Sequence, residues 1–112
     1  MAQDDMFVIM YKMLAYFYSC MKSGETPQEV HYAHNGDLFN ISYTYWVSIL
    51  KELVAHRYIS GVKLAKEMGG SIIVVSCTPS ITMEGVAFLQ ENSSMKRALK
   101  FLKETKSSLP FL

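Results

Sequence analysis

The sequence predicts an α+β fold: three helices, a two-stranded hairpin and two C-terminal helices. Three stretches carry the prediction. In residues 42–57, SYTYWVSILKELVAHR, Trp46, Ile49, Leu50 and Leu53 fall at i, i+3, i+4 and i+7, the single apolar stripe of an amphipathic helix. Residues 58–64 (YISGVKL) and 71–76 (SIIVVS) are β-branched and aromatic runs. They flank Lys66-Glu67-Met68-Gly69-Gly70, a hairpin loop by composition. Residues 5–22 are apolar on two sides, which calls for a long helix with two packing partners.

Helix 1 is expected from about Asp5 to Lys22. Asp4 or Asp5 caps it and complements its dipole. Gly24 suits the position after the last turn, and Pro27 prevents a restart. Phe7, Met10, Tyr11, Leu14, Tyr18 and Met21 form its expected core stripe. A second row, Ile9, Met13, Tyr16 and Cys20, lies on the other side. Its expected partner is either the last helix or a second subunit. Helix 2 is placed at Pro27–His34, closed by the Asn35-Gly36 turn signal. Helix 3 starts at Ser42, whose hydroxyl is suited to accept a first-turn N–H, with Ile41 stapling onto Trp46. At about 100° per residue its outer face carries Thr44, Ser48, Lys51 and Ala55.

The two strands follow, and Pro79 is expected to end the second. Thr82 caps a short helix from Met83 to Glu91, with Val86 and Leu89 inward. Ser93 or Ser94 caps the last helix, to about Lys106, with Met95, Ala98, Leu99 and Leu102 as its stripe. Residues 107–112 are an expected frayed tail. This order of elements is that of a winged helix-turn-helix, read as one domain over residues 1–112.

A chain of 112 residues can bury a core without disulfides or metal. Its net charge of +1 implies no partner by bulk electrostatics. The halves differ: residues 1–50 sum to −3 and residues 51–112 to +4, so one face suits anions better than the other. Cys20 and Cys77 are far apart without secretory context, the pattern of reduced cytosolic thiols. The apolar start fails as a signal peptide because it opens acidic and is interrupted by Tyr11, Lys12 and Tyr16. No stretch is long and apolar enough for a membrane span, so the expected location is cytoplasmic.

Three groups of residues resemble the YjcQ family, small winged-helix proteins of Gram-positive bacteria and their prophages. They are Ile41-Ser42-x-x-Tyr45-Trp46, Tyr58-Ile59-x-Gly61-Val62, and Ile81-Thr82-x-x-Gly85-x-x-Phe88-Leu89-x-Glu91-Asn92-Ser93-Ser94-Met95. The resemblance covers nearly the whole chain except Glu25–Phe39, which matches poorly. It implies the winged-helix fold and brings no catalytic or ligand residues, since the family's function is uncharacterised.

Candidate chemistry is led by double-stranded DNA. A third helix of this kind enters the major groove with its exposed N-terminal half. Thr44, Tyr45, Ser48 and Lys51 would face the bases, and Arg57, Lys63 and Lys66 the phosphates. Glu52 and Glu67 dilute these cations, and the bland alternative is a scaffold that binds no DNA. The rival function is a protein–protein adaptor, with a homodimer built on Ile9, Met13, Tyr16 and Cys20 of helix 1 and on the last helix. Lys96, Arg97, Lys100, Lys103 and Lys106 make the last helix basic, more simply a solvated face than a nucleic-acid surface.

His31, His34 and Asp37 have metal-like i, i+3, i+6 spacing, but lack a fourth ligand and straddle a turn, so no metal site is assigned. No phosphate loop, nucleophile elbow or carboxylate pair is present. Neither cysteine has an activating neighbour in sequence. The expectation is therefore a non-enzyme with no cofactor and no small-molecule substrate. Tyr11, Phe17, Tyr18, Tyr45 and Trp46 could stack on bases, but aromatic residues at helical spacing are more often core.

Overall fold

The computed structural model describes residues 5–92. They form an α+β arrangement of four helices and one antiparallel pair of strands. In chain order these are α1 (Met6–Ser23), α2 (Glu29–Tyr32), α3 (Tyr43–Ala55), β1 (Ile59–Lys66), β2 (Ile72–Ile81) and α4 (Met83–Glu91). The expected last helix and tail lie outside the described residues.

Helix α1 is the central element. It begins after Asp5, whose side chain makes no capping bond, and ends at Gly24, whose left-handed φ of 73° turns the chain out of the helix. Between Val8 and Phe17 it is buried on almost every side. The two rows seen in the sequence are both present and both contribute to the core, with Met10, Tyr11 and Leu14 of the first row buried. Ile9 and Met13 have no exposed surface and Tyr16 and Cys20 nearly none. Phe7 and Met21, expected in the core, are exposed, and Tyr18 is half-buried. Phe7 sits in the first turn, where its ring stacks at 6.4 Å on Phe88 beside α4 instead of entering the core. Tyr16 is covered by the chain that follows α1: its hydroxyl accepts the Gln28 N–H at 2.8 Å. The Tyr32 ring then packs edge-on against Phe17 at 5.4 Å.

Helix 2, expected over Pro27–His34, is a single turn. The remaining chain to Asn40 is irregular but held in place. Lys12 Nζ donates to the Leu38 carbonyl, and Leu38 and Phe39 are buried. Helix α3 follows the sequence closely. Ser42 accepts the Tyr45 N–H, and Trp46, Val47, Ile49, Leu50 and Leu53 are buried. Thr44, Ser48, Lys51 and Ala55 are exposed.

The hairpin is longer than its β-branched runs. Pro79 does not end β2, which continues to Ile81 opposite Ile59. The register explains why. Ser60 pairs with Ser80 and Val62 with Cys77, so Thr78 and Pro79 together face Gly61. A proline has no ladder N–H to give, and a bulge does not ask for one. Gly61 is held at φ 82°, and a Cβ there would lie 2.1 Å from the Thr78 carbonyl oxygen. Thr78 Oγ1 closes the bulge by donating to the Gly61 carbonyl. A second irregularity leaves Val75 as the extra residue between Ser76 and Val74.

Helix α4 starts at Thr82, whose hydroxyl accepts the Gly85 N–H. It buries Gly85, Phe88 and Leu89, while Val86 is only half-buried. Gly85 lies against the α3–β1 junction, where a Cβ would be 2.4 Å from the Tyr58 carbonyl oxygen.

Candidate nucleic-acid interface

The local chemistry of α3 sets its two sides. The apolar stripe fixes the helix against α1 and the start of β1, so the polar row Thr44, Ser48 and Lys51 must face outward. Ser48 Oγ donates back to the Thr44 carbonyl at 3.1 Å, so its hydroxyl proton is engaged while its lone pairs stay available. Tyr45, one residue round from Thr44, is half-buried and packs against the core. Its neighbour Tyr43, placed on the helix margin by its spacing, is exposed. It stands in a ring cluster with His34 at 5.6 Å and Trp46 at 5.8 Å.

Arg57 lies just past α3 and is exposed. It is the one non-glycine residue with positive φ among the described residues, at 60°. Its N–H donates to the Val54 carbonyl and that of Tyr58 to the Leu53 carbonyl, the paired closure normally made around a glycine. Nothing in the sequence near Arg57 signals this backbone.

The hairpin does not gather its two lysines. Lys63 pairs with Ser76 and Lys66 with Ile72, and residues alternate between faces along a strand. Lys66 therefore shares a face with Leu64 and Val62, and Lys63 projects from the other. Both are exposed. Lys51, Arg57, Lys63 and Lys66 make no ion pair among the described residues. The nearby Glu52 carboxylate instead approaches His56 Nε2 at 3.6 Å. Residues 5–92 contain six Lys and Arg against eight Asp and Glu. On α3 and the hairpin, the described positive charge comes from these four side chains.

The row Ile9, Met13, Tyr16 and Cys20 is core within the chain and not an open face for a second copy. The two-sided apolar character of α1 is met by its own chain, which wraps both sides. His31 Nδ1 lies 2.8 Å from the Asp37 carboxylate, but His34 turns away to the Ile41 carbonyl. The candidate metal trio is therefore split. Burial pushes the Cys20 and Cys77 thiols up, away from the thiolate form a nucleophile needs. Cys77 Sγ accepts the Tyr32 hydroxyl at 3.7 Å.

The family model described as YjcQ protein matches residues 11–108. The chain belongs to the YjcQ family. No curated protein and no solved structure matches it. The residues that carry the family resemblance have packing roles here. Ser42 and Thr82 cap helices, Trp46 and Phe88 are buried, and Gly61 and Gly85 stand where a backbone carbonyl leaves no room for a Cβ. None of these six is an exposed polar group of the α3 outer row. Within the YjcQ match, the words that identify the family are words of fold.

Proposed function

We propose that this chain is a winged helix-turn-helix module that binds duplex DNA, with α3 in the major groove and the β1–β2 hairpin as the wing. The observation that carries the reading is the division of α3. One side is sealed into the core, and the other presents Thr44, Ser48 and Lys51 in a row, with an antiparallel hairpin following directly. Lys51, Arg57 and Lys63 contact phosphates; Thr44 and Ser48 meet base edges. The role is binding, without catalysis, and a transcription-related place of prophage or mobile-element type is what the resemblance to the YjcQ family suggests.

The test is binding of the whole protein to random-sequence duplex DNA across salt concentrations. Each phosphate contact contributes about 0.9 to the slope of log affinity against log salt. Cations of residues 96–106 add to any slope the whole chain shows, so the site is judged by the change on substitution. A Lys51, Lys63, Lys66 triple alanine variant with undiminished affinity and slope would remove α3 and the hairpin as the binding surface.

A second reading, a protein–protein adaptor, is favoured by one observation. Met68 at the hairpin tip and Val75 in the bulge are exposed apolar side chains beside the half-buried Ile73. It predicts self-association or partner binding that Val75→Ser weakens and that salt does not.

A further inference from the structure

We propose that Arg57 is a phosphate-contacting residue held in an unfavourable backbone conformation for that contact, and that Thr82 is the residue that positions it. This rests on the DNA-binding reading and adds to it a division of labour at the α3–β1 junction.

The position asks for glycine. A left-handed residue after the last helical turn meets a Cβ penalty that glycine escapes. Yet the chain places its bulkiest cation there, at φ 60°. Helix-dipole complementarity does not account for the choice. A cation within the last turn of α3 would serve the dipole from an ordinary right-handed position, and that turn has no basic residue. No carboxylate among the described residues pairs with Arg57. A guanidinium that is exposed, unpaired and fixed at its root is what bidentate capture of a phosphate oxygen pair requires. Unusual non-glycine backbone is worth reading as a sign of function when its surroundings hold it in place.

The surroundings here are Thr82. Its Oγ1 donates to the Arg57 carbonyl, and its N–H donates to the Tyr58 carbonyl at 3.0 Å. The same oxygen accepts the Gly85 N–H that starts α4. The carbonyl of Arg57 and that of the next residue are thus held by one residue, which fixes the backbone from which the Arg57 side chain leaves. In the sequence Thr82 reads only as a helix cap.

The experiment measures melting and salt-dependent affinity for random-sequence duplex DNA in Arg57→Gly, Arg57→Lys, Thr82→Ser and Thr82→Val, all in the whole protein. Arg57→Gly is expected to raise Tm by roughly 2–5 °C. It should also weaken binding several-fold and shallow the salt slope by about 0.9. Arg57→Lys should keep the slope. Thr82→Ser should behave as the parent. Thr82→Val should weaken binding in the parent but cause no further loss in the Arg57→Gly background.

If the parent protein binds no duplex, the DNA-binding reading fails and this inference falls with it. If the parent binds and Arg57→Gly binds equally well with the same slope, the inference alone is overturned. A lowered Tm in Arg57→Gly would overturn the claim that the backbone is unfavourable for arginine. Loss of binding in Thr82→Val on top of Arg57→Gly would overturn the positioning role.

Discussion

The indole N–H of Trp46 donates to the carbonyl of Tyr32 at 2.9 Å, joining α3 to the short α2 turn by a buried bond. Trp46 thus fills the core and also satisfies a backbone acceptor at the end of α2. Trp46→Ala removes both, leaving a cavity and an orphaned carbonyl, for an expected loss of roughly 3–5 kcal/mol. Trp46→Phe keeps much of the packing and should lose less. Chemical denaturation of the two variants checks the order. Both variants lack the indole N–H, so equal losses would mean that the hydrogen bond outweighs the packing.

Met13 has no exposed surface. Met13→Glu therefore introduces a carboxylate into a site closed to solvent, at a high desolvation cost. The expected result is a strongly lowered Tm. A variant that melts as the parent does but sediments as a smaller species would instead restore the α1 row as a subunit interface.

Gly85 lies in the first turn of α4, and within a helix alanine usually gains about 0.5–1 kcal/mol over glycine. Here the added Cβ would meet the Tyr58 carbonyl oxygen at 2.4 Å and the Ile81 side chain at 2.7 Å. Gly85→Ala is expected to destabilise, by about 1–3 kcal/mol as for other overpacked sites. A raised Tm would show that α4 shifts outward freely.

Alkaline pH should unfold the protein in a specific range. Burial raises the hydroxyl pKa of Tyr11, Tyr16 and Tyr32 above the ordinary 10.0. The neutral form is the one the fold accommodates. Its contribution is therefore complete below pH 10 and is lost as pH rises above that value towards the folded pKa. Absorbance of tyrosinate and loss of helical signal should rise together. Ionisation of Tyr11, Tyr16 or Tyr32 near pH 10 with the helical signal intact would contradict their burial.

Binding variants separate the roles on α3. Lys51→Ala and Lys63→Ala should each weaken duplex binding on all sequences and shallow the salt slope by about one unit. Thr44→Ala and Ser48→Ala should relax preference at particular base pairs with little change in slope. A slope change on Thr44→Ala and none on Lys51→Ala would reverse the assignment.

What could be read from sequence was what local chemistry decides. Ser42, Thr82 and Gly24 act through bonds within a few residues, so their positions announced the helix ends. The α3 stripe was legible because one helix side is wholly apolar. The rest depended on distant partners. Pro79 looked like a terminator because a proline breaks a regular ladder, but Gly61 across the strand creates the bulge that accepts it. Phe7 fitted the core stripe of α1 by spacing, and its placement was decided by Phe88, 81 residues along the chain. The candidate site divided in the same way. Thr44, Ser48 and Lys51 were legible from helical phase. The left-handed backbone of Arg57, the opposed faces of Lys63 and Lys66, and the second task of Thr82 were not.

The hairpin tip gives the protein a ready place for a reporter. Met68 is fully exposed, and a Cβ at Gly69 or Gly70 would meet nothing within 4 Å. Cys20 is buried and Cys77 partly so, and burial keeps both thiols protonated further up the pH scale. A thiol at position 68 would therefore outcompete both native cysteines for a maleimide dye near neutral pH. A single fluorophore could then be attached at the end of the hairpin without removing either cysteine, and its anisotropy would report on whatever the hairpin meets.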